Sequence, residues 1–424
     1  MSKQSGRMLG RTLASFHNRN FRLYWFGQLV SLIGTLMQIV GQSWLVLELT
    51  HSSIALGFVV VLQSAPILLT VLFAGVIVDR LPKHRVLLVT QSLLLMQASV
   101  LAFLTISGRI QLWHLYILAS ILGLLNAFDN PTRQSFVADI VDRSDMVNAV
   151  GLASAQFNAG KLIGPAIGGL VIARWGTGGC FLLNAISFLA VLMSLVLMRP
   201  EEFPANPHRV ASRGSVLSGL AEGMRYFFSK PDLATTIIVL CGLGPFIYST
   251  SQIIPLIAQD ALNVGAEQFG LMVSAVGAGS LVSALVIATH GKSNVRMVLT
   301  AATAFCVFYL ALAFVPSFAL SLVLLAIVGF ALQWFGTLVN TLLQLECPEH
   351  FRGRAMSIFA LLTNGSQPLG ALFMGYITAW SSIRVTLIVE SSISILALGI
   401  ALVYRARVKE RPPAVELGAL VAAE

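Results

Sequence analysis

The sequence predicts an all-α integral membrane protein, with about twelve transmembrane helices in two pseudo-symmetric six-helix bundles. Three observations carry that prediction. The 424 residues are 56% hydrophobic and only 11% charged, against roughly 25% charged in ordinary soluble domains. Apolar runs of about 20 residues, the length that crosses a bilayer core, recur from one end to the other. One break, "RPEEFPANPHRVASRG" at 199–214, carries three prolines and several charges, and it divides the runs into two sets of six.

In chain order, spans are expected near 24–49, 54–78, 86–106, 113–133, 146–173 and 180–198, then 233–256, 268–288, 297–315, 319–343, 355–379 and 384–403. The first run is too long for a cleaved signal peptide and lacks a small-residue cleavage site. Short connections suit antiparallel helical neighbours. The resulting organisation is a leader (1–23), a first bundle (24–198), a linker (199–232), a second bundle (233–403) and a tail (404–424). In the linker, Ser215 stands as an N-cap before Val216, Leu217, Leu220, Met224, Phe227 and Phe228 at helical spacing. That pattern predicts a short helix lying in the membrane interface. The tail from Tyr404 is expected to lack regular structure.

Charge sets the orientation. Of the 27 Lys and Arg, all but Arg109, Arg174, Arg384 and Lys161 fall in the leader, the tail and one set of alternate loops. The positive-inside bias places both termini in the cytoplasm of a multi-pass inner-membrane protein. Because the basic groups are spread over loops, the net charge of +9 calls for no nucleic-acid partner. Cys180, Cys241, Cys306 and Cys347 show neither metal-ligand spacing nor a disulfide pattern. A phosphate-binding GxxxxGK[ST] loop and a nucleophile elbow are both missing from the sequence. The expectation is therefore a monomeric non-enzyme without cofactor or metal, whose partners are the lipid bilayer, a small-molecule substrate and protons.

Polar rows interrupt the apolar spans. Gln28, Ser31, Thr35, Gln38 and Gln42 share one face of span one. Span four adds Gly123, Asn126, Asn130 and Arg133; span seven adds Pro245, Tyr248 and Gln252; span ten adds Gly329, Gln333, Gly336, Asn340 and Gln344, with Trp334 beside the row. Two readings stand. Such groups can glue helices together, at about 0.6 kcal/mol per hydrogen bond, or they can line a wet central chamber. Their recurrence at equivalent positions of both halves favours the chamber, with Thr35, Gln38, Gln42, Asn126, Tyr248, Gln252, Gln333, Trp334 and Asn340 as its candidate lining and Trp44 as a further aromatic wall. The halves also repeat weakly: an offset of 210 lays Gln42 over Gln252, and an offset of 203 lays Pro165 over Pro368.

In "GLASAQFNAGKLIGPAIGGLV" (151–171), span five spends glycines that cost about 1 kcal/mol each in a helix. Gly160, Gly164 and Gly168, spaced by four, form a groove for close helix approach. Gly151, Gly160, Gly164, Pro165, Gly168 and Gly169 resemble, at every specified position, the fifth-helix motif of antiporters in the major facilitator superfamily. "GVIVDRLPKHRVLL" (75–88) resembles that superfamily's loop between helices two and three through Gly75, Asp79, Arg80, Lys83 and Arg85, with Pro82 where the pattern has glycine. "FDNPTRQSFVADIV" (128–141), "FRLYWFGQLVSLIGT" and "FLLNAISFLA" look like its enterobactin-exporter branch, the transmembrane secretion effectors.

This resemblance implies the major facilitator fold, a gate held by the 75–88 loop, and a glycine face of span five sealed on span eight at Gly270, Ser274 and Gly277. It also implies export of a drug, siderophore or other metabolite by proton antiport. Asp129 and Arg133 are either a fixed pair or the proton carrier, and Lys161 either meets an anionic substrate or pairs with a carboxylate. Glu390, off the expected chamber helices, is expected to be paired or interfacial, and Glu48 to face outward. The alternatives are an uptake or lipid-flipping transporter of the same fold, or a membrane receptor or assembly factor. A receptor would not need facing polar rows and two gate motifs.

Overall fold

The computed structural model describes residues 14–203, 224–290 and 293–409, without the side chains of 14, 71–80, 248, 288–290, 349–354 and 409. Among the described residues there are twelve long helical arms and no strand. Helix α1 (Arg19–Thr50) opens on Asn18, whose side chain accepts the Phe21 amide, and it stops at His51 in the left-handed region, φ 47. Helices α2 (Ser53–Arg80), α3 (Lys83–Ile106) and α4 (Leu112–Ile140) follow. The next run, Met146–Val196, has 51 residues, enough for two crossings. Gly176 breaks it with φ 70 and ψ 178, a conformation that glycine adopts at little cost. The run is therefore two helices, α5 (146–175) and α6 (177–196).

The second set comprises α7 (Pro231–Leu256, prolonged by a π-type turn, Ile257–Ala261), α8 (Ala266–His290), α9 (Val295–Ala311), α10 (Phe318–Glu346), α11 (Glu349–Trp380) and α12 (Ile383–Lys409). Ten of the described helices are long and apolar enough to cross a membrane, with Met146–Val196 counted once. The long helix outside that set, α11, carries Thr363, Asn364, Ser366 and Gln367 near its middle. Residues 224–229 are helical, and the Ser215 end of the expected interfacial helix lies outside the described residues. The expected start of the tail at Tyr404 is corrected: α12 continues to Lys409. Arg405 Nε lies 3.2 Å from Asp232 Oδ1, which ties this last stretch to the first turn of α7.

Successive arms alternate in direction, so the start of α1 and the end of α12 lie at one end of the molecule, the terminal end. His51, Ser53, Gln259 and Gly375 mark the other, the distal end. Hydrocarbon supplies no hydrophobic drive between helices, so close van der Waals packing must hold the bundles together. Glycine provides it. Gly27, Gly34 and Gly41 of α1, seven apart, lie against Ser194, Ser187 and Cys180 of α6. In the second bundle, Gly279 of α8 meets Ala326 of α10, and Gly329 of α10 meets Val276.

The glycine stretch of α5 is used differently from the expectation. A Cβ on Gly160 would lie 2.9 Å from Leu32, one on Gly164 2.7 Å from Leu36, and one on Gly168 3.3 Å from Met37 Cα, so this groove receives α1. Contact with α8 falls on the adjacent face: a Cβ on Gly169 would lie 2.8 Å from Gly270 Cα, and Gly277 abuts the Lys161 carbonyl. Ser274 is buried in α8, and Ser280 turns to α10, donating to the Gly329 carbonyl at 3.1 Å. A helix with a 100° step per residue presents 160, 164 and 168 to one neighbour and 161, 165 and 169 to the next.

Gly164→Leu is expected to destabilise the protein by about 1–3 kcal/mol, the usual cost of overpacking. Gly151→Leu should leave stability unchanged, since nothing lies within 4 Å of a Cβ there. Thermal unfolding of both variants in detergent checks the contrast.

Candidate functional site

The most strongly bonded polar cluster sits in the first bundle, toward the terminal end. Asp129 of α4 is 1% exposed, and its Oδ2 lies 2.8 Å from Arg133 Nε, one helical turn on. Its Oδ1 accepts from Thr90 Oγ1 at 2.7 Å and Gln91 Nε2 at 2.8 Å, both on α3. Arg133 donates onward to Asn130 Oδ1 at 2.8 Å and Gln28 Oε1 at 3.3 Å. Pro131, inside α4, removes a backbone donor without preventing the pair. The carboxylate is thus fully engaged, and α1, α3 and α4 are joined through it.

A second node lies deeper. Asn184 Nδ2 of α6 donates to Gln38 Oε1 at 2.6 Å, and Gln38 reaches Gln97 Oε1 of α3 at 3.5 Å. Gln97 in turn donates to the Leu118 carbonyl of α4, and Ser187 Oγ donates to Asn184 Oδ1. Gln38, expected in the chamber wall, is therefore buried between helices of its own bundle. Gln42 is likewise buried, Thr35 donates to the Ser31 carbonyl, and Asn126 is half-buried. Gln91, Gln97 and Asn184 are site residues that the sequence reading missed. Asn184 is a lone amide in the apolar run "FLLNAI", while Gln91 and Gln97 lie in the "TQS" and "QAS" of α3, and these polar breaks in apolar spans were the available signal.

In the second bundle, Gln252 is buried and accepts from Ser251, while Gln333 donates to Thr337 Oγ1 at 3.1 Å. Asn340 Oδ1 accepts from Gln344 at 2.6 Å, and Trp334 packs 5.8 Å from Phe330. The Tyr248 side chain lies outside the described residues. Among the described residues, no hydrogen bond joins the chamber candidates of one bundle to those of the other. Lys161 Nζ lies 4.7 Å over the Phe157 ring, and no carboxylate pairs with it among the described residues. Glu48 is exposed and accepts from Trp44 Nε1 at 2.8 Å.

Gly75, Asp79 and Arg80 lie on α2, with their side chains outside the described residues. Lys83 bridges to Asp139 Oδ1 of α4 at 2.9 Å, a contact within the first bundle, and Arg85 is exposed.

The halves meet along two seams, α2 with α11 and α5 with α8. At the distal end, Ser53 Oγ donates to the Gly375 carbonyl at 2.8 Å, and Gln259 lies 3.4 Å from His51 Nδ1. The Trp44 and Phe269 rings stack across the seam at 5.4 Å. Toward the terminal end the chemistry changes. The Arg133 side chain is 31% exposed although it belongs to a spanning helix, and Asn364 is exposed in mid-α11. Exposed polar groups inside spans are costly in hydrocarbon, which favours water over lipid at these surfaces. Asn364 went unread in the sequence although it sits in "TNGSQP", a polar stretch within span eleven.

A family profile described as transmembrane secretion effector matches residues 10–417. The chain belongs to that family. This transmembrane secretion effector is 29% identical to the multidrug efflux pump Tap of Mycolicibacterium fortuitum over 394 residues, covering 91% of this chain and 95% of the relative. It is 28% identical to the staphyloferrin A transporter of Staphylococcus aureus, covering 85% and 87%. To the enterobactin exporter EntS of Escherichia coli it is 24% identical, covering 98% and 99%. Among solved structures, a POT family transporter in complex with 5-aminolevulinic acid superposes with TM-score 0.71 at 13% identity, covering 93% and 97%. An inward-facing bacterial homologue of the lysosomal transporter Spinster gives 0.68 at 13% identity, covering 93% and 98%. These two likenesses establish the major facilitator fold of two six-helix bundles.

Asp129→Asn strands Arg133. The expected loss of stability is less than the roughly 3–5 kcal/mol of a fully buried pair, because water reaches the arginine and solvates part of its charge. Adding Arg133→Gln should recover part of the loss, a coupling that a double-mutant cycle of unfolding measures.

Proposed function

We propose that this protein exports a small, partly apolar molecule in exchange for protons, by alternating access between its two bundles. The observation that carries this reading is the contrast along the seam. Neutral contacts tie the bundles together at the distal end, while Arg133 and Asn364 meet water inside spanning helices toward the other. A chamber wet from one end and shut at the other is what a carrier needs before it rocks. Membership of a secretion family, and relatives named as an efflux pump and an enterobactin exporter, support the outward direction.

In this reading both termini are cytoplasmic in the inner membrane, the distal seam faces outward, and the protein works as a monomer without enzymatic activity. The units that rock are 24–198 and 233–403, joined by the linker 199–232 and flanked by the leader 1–23 and the segment 404–424, whose first residues extend α12 to Lys409. Asn126, Gln333, Trp334 and Asn340, half-buried on α4 and α10, together with Asn364 and Gln367 of α11, line the chamber. Thr35, Gln42, Tyr248 and Gln252 complete it as the bundles move. Asp129 with Arg133 acts as a fixed anchor, since both of its oxygens are bonded. Asp79 and Arg80 close the cytoplasmic end when the distal seam opens, with Lys83 and Arg85 fixing the loop on α4 and at the headgroups. Proton entry down a membrane potential supplies about 2.3 kcal/mol per charge per 100 mV.

Efflux of a panel of drugs and siderophores from cells with and without the protein tests the proposal. Expected is export that stops on addition of a protonophore while ATP is maintained; export that persists would point to a separate ATPase. Asp79→Asn should abolish that export with the protein still in the membrane, and wild-type flux would remove the gate assignment.

A further inference from the structure

Glu390 of α12 is a carboxyl that the polar rows do not use. It is 0% exposed, as is its partner Tyr309 of α9, whose hydroxyl donates to Oε2 at 2.7 Å. Oε1 is buried with no hydrogen-bond partner. No cation reaches the pair among the described residues. Arg384, the nearest base along α12, is exposed nearly two turns away, and Arg405 is bonded to Asp232 at the terminal end. The other titratable groups with described side chains on elements packed against α12 are Arg296 and Cys306 on α9, Cys241 and Asp232 on α7, Asp260 on the π-type turn and Tyr376 on α11. Arg296, the one base among them, is exposed at the start of α9, about 20 Å along the helix from Tyr309. A carboxylate held by one neutral donor is a costly charge to bury, whereas the protonated acid is not.

Water has a route toward this group. A cavity of about 320 Å³ opens at the distal end between the π-type turn, the residues after α9 and the starts of α10 and α12. Asp260, Ser382 and Arg384 are exposed at its rim, and the buried Leu312 and Leu387 lie at its inner end. Leu387 is three residues from Glu390 and Leu312 three from Tyr309, so the pair sits one helical turn, about 5 Å, beneath the cavity. The same π-type turn bears Gln259, which touches His51 across the distal seam. If the distal seam opens as proposed above, this contact couples the opening to the cavity wall.

We propose that Glu390 is a proton-binding site, exchanging with distal-side water through this cavity and carrying its proton on Oε1. Loading moves a proton from water to Oε1 and turns the carboxylate into a neutral acid. Unloading returns the proton to water once the wall opens. Its role in the transport cycle rests on the antiport reading; its existence as a proton site does not.

Infrared spectroscopy of the full-length protein in lipid nanodiscs, titrated between acid and alkaline pH, reads this directly. A protonated carboxylic-acid carbonyl band is expected that titrates as one proton and vanishes in Glu390→Gln. In Tyr309→Phe the ionised form loses its donor, so the midpoint should move upward by roughly one unit. A band unchanged in Glu390→Gln overturns the proposal. If that variant fails to fold, an unmoved midpoint in Tyr309→Phe overturns it instead. Protonophore-insensitive efflux by the wild type removes antiport but leaves the band, whereas a missing band beside protonophore-sensitive efflux removes Glu390 alone.

Discussion

Helix α5 has to touch two helices at backbone distance simultaneously, and the rest of the architecture depends on that contact. On one face, Gly160, Gly164 and Gly168 admit Leu32, Leu36 and Met37 of α1; on the next, Gly169 meets Gly270 of α8. Lipid tails compete on equal terms for any apolar side chain, so only surfaces that fit more closely than lipid can hold a membrane bundle together. The α1 contact anchors α5 in its own bundle. The α8 contact is made almost entirely of backbone and small side chains, and among the described residues no ion pair crosses it. A seam of that kind can part and re-form without stranding a buried ion.

Charges are treated in the opposite way. Asp129 is locked by an arginine and two neutral donors from α3, which makes it a poor candidate for a group that must gain and lose a proton. Glu390 has one donor and one empty oxygen. The α1 polar row divides along the same line. Gln28 and Gln38 bond to neighbouring helices, while the more exposed polar groups, Arg133 and Asn364, belong to α4 and α11. Of the two readings of a polar row, glue is realised in α1, while a chamber wall on α4 and α10 remains the proposal.

The fold was plainly legible. Apolar run length and the charged break at 199–214 are properties of single segments, and hydrocarbon leaves helices little alternative. The site was less so, because it depends on which way each face turns. Gly160, Gly164 and Gly168 announce a close approach but do not say to which helix, and the error in assigning them to α8 amounts to one residue of rotation. Gln38 sits on the same row as Gln42, yet its bond to Asn184 spans 146 positions of sequence that no periodicity connects. Asn364 was visible as composition, but α11 held no regular row to draw attention to it. Tyr309 and Glu390 are 81 positions apart, and only packing brings a phenol to a carboxyl.

Gly176 joins α5 to α6 with no loop between them. A loop would absorb displacement; one residue stores almost no slack. The two arms therefore act as a bell crank, in which any roll of α5 against α8 is delivered as torque to α6. Since α6 is keyed to α1 through Gly27, Gly34 and Gly41, the far flank of the first bundle feels every motion of the seam without delay.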